Sequence, residues 1–167
     1  MPSFYPQLKM KKLVNSEEAK EIRAKAKKEG KIVVFTNGCF DILHRGHIES
    51  LRQAKELGDI LIVGLNTDDS IHKFKSKSRP IFNQNDRAEV LNALISVDYI
   101  VLFDEPTPEK LIEQIKPDIL VKGSDYKIDE IAGREIVQKC GGKVVIIPLL
   151  PGYSTTQIIN KIKNKLD

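Results

Sequence analysis

Phe35-Thr36-Asn37-Gly38-Cys39-Phe40-Asp41-Ile42-Leu43-His44-Arg45-Gly46-His47 is the stretch from which the rest of this chain can be read. It leaves a short, continuous apolar run with β-branched residues, Ile32-Val33-Val34-Phe35. It enters a helical pattern over Ile48 to Leu57 that Gly58 closes. A continuous apolar run signals a strand buried on both faces, and a strand followed at once by a helix signals a parallel sheet. Gly38 lets backbone approach a ligand closely. Gly46 stands where the unpaired N–H groups and positive dipole end of the helix favour an anion.

The same alternation continues outward. Similar apolar runs lie at Ile60 to Leu65, Tyr99 to Phe103, Ile119 to Val121 and Val144 to Ile147. Between them lie helical patterns at Asp86 to Ile95, Pro108 to Ile115 (closed by Pro117) and Ile131 to Lys139 (closed by Gly141-Gly142). Ahead of the first run, residues 15–29 carry Asn15 and Ser16 as caps, Glu17 and Glu18 in the first turn, lysines near the end and Gly30 as a stop, the end signals of a helix. The expectation is an α/β fold: one Rossmann-like domain with a five-stranded parallel sheet, helices on both faces and the ligand site at the carboxyl ends of the strands. With no repeat, low-complexity tract or linker, residues 1–167 read as a single domain, with a helical extension over 1–30 and a catalytic core over 31–160.

Composition narrows the function. At 167 residues, 41% hydrophobic and 30% charged, the chain suits one globular core. The formal charge of +4 is unevenly spread, with eight basic residues between Lys9 and Lys28 and others in Lys73 to Arg79 and Lys161 to Lys165, as on solvated helix surfaces. No Trp and only 6% aromatics argue against nucleic-acid binding, which calls for aromatics interleaved with basic residues. Cys39 and Cys140 form neither a disulfide framework nor a metal-ligand spacing. The N-terminus lacks an apolar signal core and no run of about 18 apolar residues occurs. A cytoplasmic protein with no membrane partner is expected.

His44 and His47, three apart at a helix entrance, can turn toward one space. A phosphate oxygen attacking the α-phosphorus of a nucleotide is already ionised and needs no general base. The difficulty lies in the negative charge on the equatorial oxygens and the leaving pyrophosphate, which imidazole N–H donors, backbone amides and a helix terminus relieve. The rival reading is that one histidine merely caps the helix. A metal site would need further ligands, and apart from Asp41 no other His, Cys or carboxylate cluster stands out to complete it, so no metal is assigned to protein ligands. Asn66 and Asp68, just past the second strand, are placed to reach acceptor hydroxyls or a ribose.

With His44-Arg45-Gly46-His47 preceded by Asn37-Gly38-Cys39-Phe40-Asp41, and Ser154-Thr155-Thr156 heading the last helix, residues 31–160 resemble the HxGH nucleotidyltransferase superfamily. The resemblance implies that His44 and His47 act on the transferred phosphoryl group with Lys75 and Arg87. It implies that Thr36, Asn37, Gly38, Cys39, Phe40, Gly46, Gly123, Ser154, Thr155 and Thr156 hold the nucleotide. It also implies that Asp41, Asn66, Asp68, Lys73, Lys77 and Asp125 serve the substrates, the basic loop Lys73 to Arg79 folding over phosphates. The plainer alternatives stay open: an N-cap for Ser154, a surface salt bridge for Arg87, a solvated loop for the lysines and a turn for Gly123-Ser124-Asp125.

Phe35-Thr36-Asn37-Gly38-Cys39-Phe40-Asp41, Val121-Lys122-Gly123-Ser124-Asp125-Tyr126 and Pro151-Gly152-Tyr153-Ser154-Thr155-Thr156 are most similar to the heptose 1-phosphate adenylyltransferases. That activity is often fused to a sugar kinase for which this chain has no room, so a stand-alone transferase is expected. The implied reaction joins AMP from ATP to a heptose 1-phosphate, with Mg²⁺ accompanying ATP and a homodimer as the assembly. The alternatives are a cytidylyltransferase for glycerol 3-phosphate, whose last motif carries an arginine absent before Tyr153, and a nucleotide-binding regulator, which would have no use for both histidines.

Overall fold

The computed structural model describes residues 10–76 and 78–166. The elements in chain order are β1 (Leu13–Val14), α1 (Ser16–Lys28), β2 (Val33–Gly38), α2 (Arg45–Lys55), β3 (Ile60–Asn66), α3 (Asp68–His72), α4 (Gln84–Asn92), β4 (Tyr99–Phe103), α5 (Glu109–Ile115), β5 (Ile119–Gly123), α6 (Arg134–Lys139), β6 (Lys143–Ile147) and α7 (Thr155–Leu166), with a 3-10 turn over Ile128–Glu130. The sheet is wholly parallel in the order β1-β4-β3-β2-β5-β6. It therefore has six strands, not the five expected. The added strand, Leu13–Val14, pairs with Ile100 and Val101 of β4. Two residues make no apolar run, and they fall within the stretch read as a helical extension.

The other five strands lie where the apolar runs placed them, and successive residues face opposite cores. Val33, Phe35, Ile62, Val101 and Leu120 meet α1, α5 and α6 through Ala19, Ala26, Leu111, Ile112, Ile115 and Val137. Val34, Leu61, Val63, Ile100 and Val121 meet α2 and α4 through Leu51, Ala54, Ala88 and Leu91. The amino-terminal edge of the sheet is fastened by carboxylates. Asp59, Asp98 and Asp118 accept from the backbone N–H of Ile32, Leu61 and Val33 at 2.7, 2.7 and 2.8 Å. Helix α1 carries the capping box its sequence announced, with Asn15 and Glu18 exchanging bonds at 2.9 and 2.8 Å. Helix α4 starts at Gln84, because Asn83 caps it by accepting from Asn85 and Asp86, and it stops at Asn92, short of the exposed Ile95.

Strand order matters for the site. From β2 the chain runs outward through β3 to β4, then returns to lay β5 on the other side of β2. The crossovers diverge at the carboxyl ends of β2 and β5, and such a switch point opens a crevice for a ligand.

Candidate active site

The loop after β2 is bent twice against its own preference. Phe40 and Ile42 have φ of 46° and 54°, unusual for any non-glycine and most of all for β-branched Ile42. Each such residue costs of order 1–3 kcal/mol, so the surroundings must hold it. Asp41, between them, supplies the hold. Its buried carboxylate accepts from Arg79 Nε at 2.6 Å and from the amides of Ile81 and Phe82 at 2.9 and 3.1 Å, while its carbonyl accepts from Thr155 Oγ1 at 2.8 Å. Burial pushes its carboxyl pKa up, but the two amides and Arg79 outweigh that and leave it below the ordinary value. Asp41 was expected to serve substrate. Its oxygens pin three segments together.

The loop delivers His44 to the head of α2. Its Nδ1 accepts from the His47 amide at 3.4 Å, so His44 does cap the helix. That bond leaves the proton on Nε2, which remains a donor; capping and donation coexist in one ring. The His44 and His47 rings stack at 3.8 Å, 15° from parallel, with Phe40 at 5.4 Å from His47. Burial lowers the pKa of both rings; for His47, with the neighbouring His44 adding to it, the value falls to about 4. Both are neutral near pH 7. The Nδ1 of His47 is buried without a hydrogen-bond partner among the described residues. Gly46 is needed between them, since a Cβ there would stand 3.0 Å from the His44 ring and from Tyr153 Cβ.

Arg87 is not a surface residue. It is 2% exposed and donates to Phe82 O at 3.0 Å, Cys39 O at 2.6 Å and Asp68 Oδ1 at 2.7 Å. The guanidinium expected near the triphosphate thus braces the β2 loop against α4 and α3, and Asp68 is its counter-ion. Lys73 donates to Asp104 O and Oδ2 at 2.8 and 3.2 Å across the end of β4. Lys75 is exposed on the rim, close enough for its charge to oppose the upward effect of burial on the Cys39 thiol. Lys77 lies outside the described residues.

Asn66 is buried at the end of β3 and donates to Ser70 Oγ at 2.9 Å. Thr36 Oγ1 donates to Val121 O at 3.1 Å, stitching β2 to β5. Ser154 accepts from the Gln157 amide at 3.1 Å as the cap of α7, and Thr156 is exposed. Gly123 to Tyr126 form a turn closed by Tyr126 N–H to Gly123 O at 3.2 Å, which leaves Asp125 exposed. Gly38 lies under Phe40, whose ring would stand 3.1 Å from a Cβ there.

Two residues were not singled out from the sequence. Arg79 partners Asp41, and nothing local signals a bond to a residue 38 positions away. Lys122, next to last in β5, is nearly buried at 9% exposure, with its ammonium 5.2 Å from the Tyr126 ring centroid. A lysine closing the apolar run Ile119-Leu120-Val121 was the available signal.

These features define a Rossmann-like α/β domain whose switch point carries a helix N-terminus, two neutral imidazoles and a hydroxyl-rich second helix head, a site shaped for phosphate. Residues 35–161 match the model of the cytidylyltransferase-like family, and the chain belongs to that family. It is 51% identical over 151 residues to "Bifunctional protein HldE" of Citrifermentans bemidjiense, covering 90% of this chain and 31% of that protein. It is 54% identical over 153 residues to the protein of the same name from Campylobacter concisus, covering 92% and 31%. The chain thus spans about a third of the length of these relatives. Among solved structures it is similar to the lipopolysaccharide core biosynthesis protein of Thermoplasma volcanium, with TM-score 0.59, 37% identity and coverage of 72% of this chain and 98% of that one. The pantoate-beta-alanine ligase of Francisella tularensis, with TM-score 0.58 and 18% identity, shares the fold. No helix among the described residues is long and apolar enough to cross a membrane.

Proposed function

We propose that this chain is an adenylyltransferase that joins AMP from ATP to a heptose 1-phosphate, releasing pyrophosphate and yielding ADP-heptose for lipopolysaccharide or a related surface glycan. The observation that carries the chemistry is the neutral, stacked His44–His47 pair at the head of α2. Neutral imidazoles present N–H donors without titrating, and donors fixed before reaction stabilise charge as it develops. The acceptor's phosphate oxygen forms a bond to the α-phosphorus, and the bond from that phosphorus to the bridging oxygen of pyrophosphate breaks. His44 and His47 bear on the non-bridging oxygens and the leaving group, with the amides of α2 and α7, Ser154 and Thr155 around the triphosphate and Lys75 on the rim. The heptose acceptor is supported by the likeness to the two HldE proteins and to the Thermoplasma lipopolysaccharide core protein.

The described residues contain no group of three His, Cys, Asp or Glu able to hold a metal. The residues present therefore do not fit a protein-held ion, and Mg²⁺ enters as the counter-ion of ATP. A cytoplasmic homodimer completes the reading.

Pyrophosphate release over a matrix of nucleotides and sugar phosphates tests it. ATP with a heptose 1-phosphate should be preferred, and His44→Ala and His47→Ala should each lower kcat by about 10²–10³ without unfolding the protein. A better kcat/KM for CTP with glycerol 3-phosphate would refute the substrates, and near-normal turnover of either variant would refute that histidine's role.

A further inference from the structure

Two of the three cations built into the interior of this site are spent. Arg87 is shared among Phe82 O, Cys39 O and Asp68, and Arg79 is paired with Asp41. Lys122 is not. The residue is 9% exposed, and among the described residues its ammonium forms no ion pair and no hydrogen bond, meeting only the face of the Tyr126 ring at 5.2 Å. A largely buried lysine whose ammonium keeps a path to solvent and no carboxylate partner is free to take an anion from the crevice.

Its position says which anion. Phe35 of β2 pairs with Leu120 of β5 on the face packed by α1, α5 and α6. Two residues further along each strand, Asn37 and Lys122 lie on that same face at the carboxyl edge. The side-chain oxygen of Asn37 is buried and also lacks a partner among the described residues. The histidine pair belongs to α2, which packs the opposite face through Leu51 and Ala54. A cation and an unused carboxamide oxygen thus share one side of the crevice, across the sheet edge from the helix that faces the nucleotide.

We propose that Lys122 binds the phosphate of the acceptor and that the neighbouring Asn37 oxygen receives one of its sugar hydroxyls, making this corner the acceptor subsite. The assignment rests on the function proposed above and adds the residue that selects an anionic acceptor. Burial pushes the ammonium down to about 8, with Asp125 and the Cys39 thiol opposing it and the Tyr126 ring beside it. The free site therefore loses its charge above about pH 8, and acceptor affinity falls with it.

The test uses Lys122→Met, which keeps the stem and removes the charge, and Lys122→Arg, which stays charged at every pH used. Thermal shifts with heptose 1-phosphate alone, and with neutral heptose as control, measure binding without turnover. Pyrophosphate release measures KM for each substrate. The acceptor's midpoint and KM should rise about 10- to 100-fold in Lys122→Met, as for loss of a charge-assisted hydrogen bond, with KM for ATP within about threefold. Wild-type affinity should weaken from pH 7 to 9, and that dependence should vanish in Lys122→Arg. An unchanged acceptor midpoint in Lys122→Met, or a rise confined to KM for ATP, overturns the assignment. Failure of the wild type to release pyrophosphate would overturn the functional reading instead, and the thermal shifts would still judge Lys122.

Discussion

Acidification should unfold this protein partly through one ring. His47 titrates at about 4 in the folded chain against 6.5 for an unburdened histidine, because burial and the stacked His44 oppose its charge. Its folded pKa is depressed, so the sign follows directly. Above pH 6.5 the ring is neutral in both states and its contribution is complete. As pH falls from 6.5 toward 4 the unfolded chain takes up the proton and the folded one does not, and stability is lost. At about 1.4 kcal/mol per pH unit in that window, the loss reaches about 2 kcal/mol by pH 5 and about 3 kcal/mol by pH 4. His47→Gln removes the titration and keeps a polar side chain of similar reach. Urea unfolding of both proteins at pH 7.5 and pH 5.0 isolates the ring, since the carboxylates cancel in the difference. The wild type should lose about 2 kcal/mol more than the variant between the two pH values. Equal losses would mean that His47 charges freely in the folded protein, and the claim that it acts as a neutral donor would fall with it.

Two other perturbations separate scaffold from chemistry. Gly46→Ala places a methyl group 3.0 Å from the His44 ring and Tyr153, while Ala gains up to about 1 kcal/mol of helix propensity; Tm should hardly change and kcat should fall at least about tenfold through misplaced imidazoles, so normal kcat would show that the ring is not finely placed. Asp41→Asn leaves Arg79 without its counter-ion and should cost about 3 kcal/mol in urea unfolding, with faster proteolysis at 79–82; a loss under about 1 kcal/mol would show that the loop is held by other contacts.

How much of this could be read from the sequence depended on how local each signal was. The buried strands announced themselves because both faces are covered, so Val33-Val34-Phe35 and Leu61-Ile62-Val63 are apolar without a break. Strand β1 did not, since Leu13 and Val14 join the sheet through pairing with β4, far away in the chain. The same division runs through the site. His44, Gly46 and His47 lie within one helical turn, and spacing alone brought them together. The tasks of Asp41 and Arg87 depend on Arg79 and on the Cys39 carbonyl, 38 and 48 positions distant. Composition and periodicity carry no information about such partners, which is why the bracing roles of both residues could not be read from the sequence.

Those braces explain why the site has two sides. Displacement at phosphorus requires the attacking and leaving oxygens to lie roughly in line, so their binding groups must stand on opposite sides of the α-phosphate. A single helix terminus serves only one side. Here the two faces of the sheet end in different chemistry: α2 brings the histidines from one face, and the strand alternation that buries Phe35 and Leu120 carries Asn37 and Lys122 to the edge of the other. The boundary between them is the loop Cys39 to Leu43, held in its strained course by Asp41 and Arg87. If that loop relaxed, His44 would lose its place at the cap and the two half-sites their alignment. Placing two buried ionic residues on a five-residue loop is intelligible on that account: they fix the geometry that the proposed transfer requires.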